Sequence, residues 1–333
     1  MAPLMSSIQP PVLALIGMLV LSLQDVPDLP KPTPVPPGVR LSITRITPDA
    51  KVPVPGAPND MAMDAGVWVA TRTTREVARI DPKTNAVTGA TAAGSAPCAG
   101  MASDFGGIWA ATCAPAALVR LDPKTQKVAA TITTPVLDGS SSVATGVGSV
   151  WLLADVAGTL LRLDPDTNAP VAEISLPSGV SALAFGEGAV WVANARTHQV
   201  ARIDPHTNVV TKLVKVGRAP SALATGEGGV WVLNQGEGTV SRIDPKTDAV
   251  VATIATGVTT AGARMVAGEG ALWITAPGLP LVRLDPATNR VTHQFTGEGG
   301  GAIALGHGSL WLANTKSGSI WRMDPKLIAA LVP

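Results

Sequence analysis

Seven tryptophans recur through this chain at intervals of 38 to 42 residues: Trp68, Trp109, Trp151, Trp191, Trp231, Trp273 and Trp311. An Asp-Pro follows each of them 12 or 13 residues later, from Asp81-Pro82 to Asp324-Pro325, and an arginine stands two residues before each Asp. A three-part signature in register through seven copies marks an array of one supersecondary unit. Units of about 40 residues built from short strands are propeller blades. The expectation is an all-β, seven-bladed propeller of four-stranded antiparallel blades. Composition agrees: 34 Gly and 29 Pro supply tight turns, and 15% charged residues with a net charge of +1 give no basic face for nucleic acid.

Within one unit, the stretch from Ala219 to Val251 reads as four strands. Ser221–Thr225 is an apolar inner strand, and Gly226-Glu227-Gly228 a hairpin turn in which glycine supplies positive φ at little cost. Val230–Leu233 is the second strand, with Trp231 and its flanking valines on opposite faces. Thr239–Ile243 and Val250–Ile254 complete the blade around Asp244-Pro245-Lys246-Thr247, where Pro presets φ and the Asp carboxylate accepts backbone N–H groups ahead of it. Arg242 and Asp244 share a strand face and could pair across or between blades. Present in all seven units, these residues are architecture. Each tryptophan buries about 150–250 Å², worth about 4–6 kcal/mol as an upper bound, and fills the space between blades.

Closure leaves a trace at the N-terminus. Arg45-Ile46-Thr47-Pro48 echoes the repeat motif and precedes Lys51–Val54, so an N-terminal strand is expected to complete the last blade, with the tail from Leu327 as a competitor. Before it, Val12–Leu23 has the length of a signal-peptide core, too short to span a bilayer. Residues 1–24 are read as a signal peptide or short anchor, 25–38 as a stiff Pro-rich linker, and 39–333 as the propeller, a monomer in an extracytoplasmic compartment whose N-terminal segment is its one membrane contact. Cys98 and Cys113 fall at the same end of one hairpin, and a disulfide between them suits that compartment.

The run Gly-x-Val-Trp-Val-x-Asn, Arg-Ile-Asp-Pro-x-Thr, then Ala-Thr-Ile resembles the YVTN-type β-propeller repeat family of bacterial extracytoplasmic proteins and, more distantly, the virginiamycin B lyase family. The second resemblance implies a magnesium-dependent active site, with a Glu three residues after the strand tryptophan and a His after the proline that introduces an inner strand. Here the first position holds Thr71, Thr112, Ala154, Asn194, Asn234, Ala276 and Asn314, and the second Asn59, Cys98 and Ser221. No carboxylate or imidazole stands at either, so no catalytic residue is assigned.

Candidate ligand-binding residues are places on the loop face where the repeat departs from its pattern: Arg72, Asp155, His198, Arg218, Glu237 and Arg264, with Arg75, Arg196, Glu298 and Lys316 beside them. Asn194, Asn234 and Asn314 are placed nearer the channel. The resulting expectation is an exported, non-catalytic scaffold binding a protein, a cell-envelope component or a small ligand, without cofactor or resident metal. The alternative is a lyase or lactonase using Mg²⁺ or Ca²⁺.

Overall fold

The computed structural model describes residues 28–139 and 142–332. The segment read as a signal peptide lies outside the described residues. Seven sheets surround a central channel, and in sequence order they are blade one (58–92), two (97–133), three (143–175), four (180–215), five (220–255), six (264–296) and seven (303–323). Each runs from an inner strand at the channel to an outer strand at the rim. In the type blade the strands are Pro220–Gly226, Gly229–Asn234, Thr239–Asp244 and Ala249–Ala255. They extend one residue beyond all but one of the boundaries expected from the apolar pattern.

Two turns recur through the ring, the inner hairpin turn in blades two to seven and the Asp-Pro turn in blades one to six. At the inner hairpin the residues after the first glycine, such as Glu227 (φ 51°) and Gly228 (φ 69°), are both left-handed, as a type I′ turn requires. The first glycine serves a different purpose. A Cβ on Gly146 would lie 2.1 Å from the Phe185 ring, and one on Gly186 2.2 Å from Thr225 Oγ1. The missing side chain lets the next inner strand close in at the far end of the channel. At the second hairpin, Asp204 Oδ1 accepts the N–H groups of His206 (2.7 Å) and Thr207 (3.2 Å), while Asn208, left-handed at φ 60°, donates back to the Asp204 carbonyl.

The seven repeat tryptophans are fully buried, and each lies at the seam between its own blade and the next. Trp231 of blade five packs with Met265, Leu272 and Leu284 of blade six, and Trp311 of blade seven with Met61, Val67 and Ile80 of blade one. In five blades the indole Nε1–H donates to the carbonyl of the first hairpin glycine, as Trp231 does to Gly226 at 3.0 Å. The repeat arginine lies over that ring, 4.9–5.8 Å from its centroid.

That arginine does not pair with the Asp of its own motif. Arg120, Arg162, Arg242 and Arg322 reach the next blade, donating to its turn proline carbonyl and to the Oδ1 of Asn168, Asn208, Asn289 and Asn85 respectively. Arg79, Arg202 and Arg283 donate to Thr88, Thr211 and Thr292 on their own outer strands, and Arg202 Nε also lies 3.4 Å from Asp248 Oδ1 of the next blade. The local sequence accounts for the split. Where the following turn ends in Asn, its amide oxygen accepts from the guanidinium; after blade four Asp248 takes that place as an ion-pair partner, after blade one Gln126 stands there, and after blade six the turn is replaced by a helix.

Ring closure follows the expectation. Ala50–Pro53 pairs antiparallel with Ser319–Met323, from Ala50 opposite Arg322 to Pro53 opposite Ser319, and supplies the fourth strand of blade seven. The tail does not compete for that place. With its fourth strand already provided, the seventh Asp-Pro opens no hairpin: Asp324 caps the short helix Pro325–Ala329, accepting from the Lys326 N–H. Beyond the repeat, Arg40–Ser42 adds a parallel fifth strand to the outer edge of blade six. Thr33, within the Pro-rich stretch, exchanges two backbone hydrogen bonds with the outer strand of blade five. Both contacts cover strand edges that would otherwise be open to pairing.

Candidate functional site at the channel mouth

The loop face is built by the connections from fourth to first and from second to third strands, so the early residues of each inner strand stand at the channel mouth. One register position there is set by its partner two residues after the tryptophan. Asp60 lies opposite Ala70, Ala182 opposite Ala193, Ala222 opposite Leu233 and Arg264 opposite Thr275. Gly100, Ser142 and Ala302 hold the same place in blades two, three and seven. Five of the seven are small, as the converging strands demand. The two departures, in blades one and six, carry opposite charges.

Both line a channel of about 370 Å³ whose other walls include Met61, Met101, Leu183, Leu223, Met265 and Ile303. Asp60 Oδ1 accepts its neighbour Met61 N–H at 2.8 Å, and the carboxyl is also held by the Met101 backbone. Burial within the ring pushes this carboxyl above its ordinary value, opposed by the Arg264 charge and those backbone donors. The two charges sense each other without closing into an ion pair. Arg264 makes one long bond, 3.5 Å to the Ala263 carbonyl, and its buried Nε has no partner. Asp60 was not among the residues expected from sequence, although a lone acid in a slot of Gly, Ala and Ser was visible there.

The other expected residues serve the loops themselves. Asn194 donates to the carbonyls of Pro177 (2.7 Å) and Ser178 (3.1 Å) and accepts from the N–H groups of Arg196 and Thr197. Asn314 Oδ1 accepts the Ser317 N–H at 3.1 Å, and Asn234 donates to Thr239 and Ser241. Asp155 does the same work one residue later. Burial raises its carboxyl, but donors from Thr159, Gly158 and Ala157 outweigh that and hold it below the ordinary carboxylate value. His198, left-handed at φ 57°, accepts the Ala219 N–H of the next blade on Nδ1, so its proton sits on Nε2 when it is neutral. Arg218 pairs with Glu237 at 3.5 Å, Arg72 with Asp138 at 3.9 Å and Lys316 with Glu298, all at substantially exposed positions where an ion pair contributes about 1 kcal/mol or less.

The Cys98–Cys113 disulfide is formed, with 5.8 Å between the Cα atoms. Among the described residues, one group of three possible metal ligands comes together, Cys98, Cys113 and Asp138, and its two sulfurs are bonded to each other. The positions that the lyase resemblance would use for magnesium hold no carboxylate or imidazole, although Asn59 Oδ1, Ser221 Oγ and Asn234 Oδ1 are buried there without a partner. They offer hydroxyl, methyl and amide groups, and the Asn194 and Asn314 oxygens already accept turn N–H groups.

By its architecture the protein is a seven-bladed β-propeller. Among solved structures it is similar to virginiamycin B lyase from Staphylococcus aureus, at TM-score 0.68 and 16% identity over 83% of this chain and 98% of that one. A catalytically inactive variant of that lyase with quinupristin matches with the same figures. BamB from Moraxella catarrhalis matches at TM-score 0.58 and 15% identity, over 79% of this chain and 84% of the other. No protein-family model and no curated sequence matches the chain. Likeness at this level of identity establishes the fold.

Proposed function

We propose that this protein is an exported, non-catalytic propeller that binds a ligand where its loop face opens into the central channel. The observation that carries the reading is Arg264: a guanidinium with a buried, unpartnered Nε, lining the same channel as Asp60. The repeat arginines Arg79, Arg120, Arg202, Arg242 and Arg283 also have a buried Nε without a hydrogen-bond partner, but each lies over its tryptophan ring, whereas Arg264 lines the cavity, where a bound group would satisfy it. Export is supported by the disulfide together with the apolar and Pro-rich N-terminal sequence. The Asn, Asp155 and His198 side chains stabilise the loops that frame this mouth.

A metal-dependent lyase or lactonase is the second reading, favoured by the fold's match to nearly the whole of virginiamycin B lyase. The amide and hydroxyl side chains at the corresponding positions weigh against it. Thermal melting of the full chain against lactones, sugars, streptogramins, carboxylic acids and divalent ions separates the two. A ligand at about a hundred times its Kd adds roughly 2.7 kcal/mol to stability by mass action. The binding reading expects a rise in Tm that Arg264→Ala removes. Turnover of a lactone or streptogramin that requires Mg²⁺ would replace it with the enzyme reading.

A further inference from the structure

Resting on the channel-mouth reading, we propose that the ligand is a small monocarboxylate with a bulky apolar body and an adjacent hydroxyl or ammonium group, that is, a hydrophobic hydroxy acid or amino acid. Three features of the mouth select it. Arg264 offers five N–H donors in a planar fork and uses one of them, weakly, on a backbone carbonyl. A carboxylate is the small group that accepts two parallel bonds from such a fork.

Asp60 defines the second requirement. Its carboxyl keeps acceptor capacity beyond the Met61 and Met101 N–H groups, and it balances the Arg264 charge within the same enclosed space. A phosphate dianion carries more charge than the single Arg264 offsets and sets its oxygens against those of Asp60. A monoanion with a donor beside its carboxylate satisfies both side chains at once. The third requirement comes from the walls. Met61, Met101 and Met265, packed in the seams with Trp311, Trp68 and Trp231, present apolar edges to the space near the charges, together with Leu183, Leu223 and Ile303. Five small residues in the shared register position leave the lumen open, while Phe185, Thr225 and Leu305 crowd its far end where hairpin glycines give way to them. The carboxylate therefore sits at the mouth and the apolar body points inward.

Isothermal titration of the full chain with four probes tests this assignment: 3-phenyllactate, phenylalanine, 3-phenylpropanoate and phenylalaninamide. The first two bind, phenylpropanoate binds more weakly, and phenylalaninamide binds at least tenfold more weakly than phenylalanine. Arg264→Ala reduces binding of the acids at least tenfold, and Arg264→Lys, which keeps the charge and loses the fork, gives an intermediate loss. Asp60→Asn erases the preference for phenylalanine over phenylpropanoate. Alanine already fills this position in blades four, five and seven, so Arg264→Ala is expected to fold, and its melting curve checks that. Equal binding of phenylalanine and its amide, or no binding of any acid, overturns the proposal. Arg264-dependent binding of a sugar or an amine in place of these acids would refute the ligand class and leave the channel-mouth reading intact. If every ligand found binds independently of Arg264, both fall.

Discussion

Replacing Arg162 by alanine measures what holds one blade to the next. The Arg162 guanidinium lies 5.3 Å from the Trp151 ring centroid and donates to Ser149 Oγ at 2.8 Å in its own blade. Across the seam it donates to the Pro205 carbonyl at 2.8 Å and to Asn208 Oδ1 at 3.1 Å. The site is half-buried, so each hydrogen bond is taken at about 0.5–1 kcal/mol and the cation–π contact at about 0.5–1 kcal/mol. The loss is then about 3 kcal/mol. Unfolding entropy of about 2.1 cal/mol/K per residue over 333 residues turns this into a fall in Tm of about 4–5 °C. The internal control is Arg283→Ala. Arg283 keeps its contact with the Trp273 ring at 5.7 Å and one bond to Thr292 at 2.9 Å, and its hydrogen bonds reach no neighbouring turn. Its removal should cost about half as much, a fall of about 2 °C. Calorimetry of both variants, with an Arg162→Ala/Asn208→Ala cycle, supplies the comparison. Equal melting of the two arginine variants, or a coupling between Arg162 and Asn208 indistinguishable from zero, would refute the inter-blade staple.

Two further perturbations probe the channel and the disulfide. Burial raises the Asp60 carboxyl, so below the ordinary value near 3.8 the group is protonated in both folded and unfolded states and costs nothing. As pH rises through that value to the raised folded one, the unfolded state loses its proton first and stability falls. Asp60→Asn, which keeps the acceptor for Met61, should therefore melt higher than the parent at pH 7, with the gap closing at pH 3; a lower melting temperature at pH 7 would show that the Arg264 attraction outweighs burial. Reduction of Cys98–Cys113, or the paired change to alanine, reopens a loop of sequence separation 15 and should cost about 3 kcal/mol, again about 4 °C, read by melting with and without a thiol reductant.

The repeat made the architecture legible because every blade solves the same local problem with the same residues. Trp at the seam and Asp-Pro at one turn recur in all seven units and count the blades, and Gly-x-Gly marks the other turn in five of them. The echo of the motif before Lys51 revealed the strand that closes the ring, since Ala50–Pro53 needed only the same pairing every other fourth strand makes. Asparagine after the tryptophan was legible as a loop-face residue, but not as a turn brace, because its carbonyl partners come from the preceding blade connection, as Pro177 does for Asn194.

What the tertiary structure decided is what depends on convergence around the axis. Arg264 stood out as a departure from the repeat, and Asp60, some two hundred residues earlier, was visible as a lone acid in the same slot, but nothing local showed that the two line one space. Only closure of the ring brings blades one and six to either side of blade seven and turns two separate substitutions in one register position into a charged pair. Likewise, whether an arginine reaches the next blade by hydrogen bonds to Asn, by an ion pair to Asp or stays on its own strand depends on a turn some forty residues onward, a partner met only across a seam. Strand periodicity is a property of the chain, but contacts between blades belong to the closed ring.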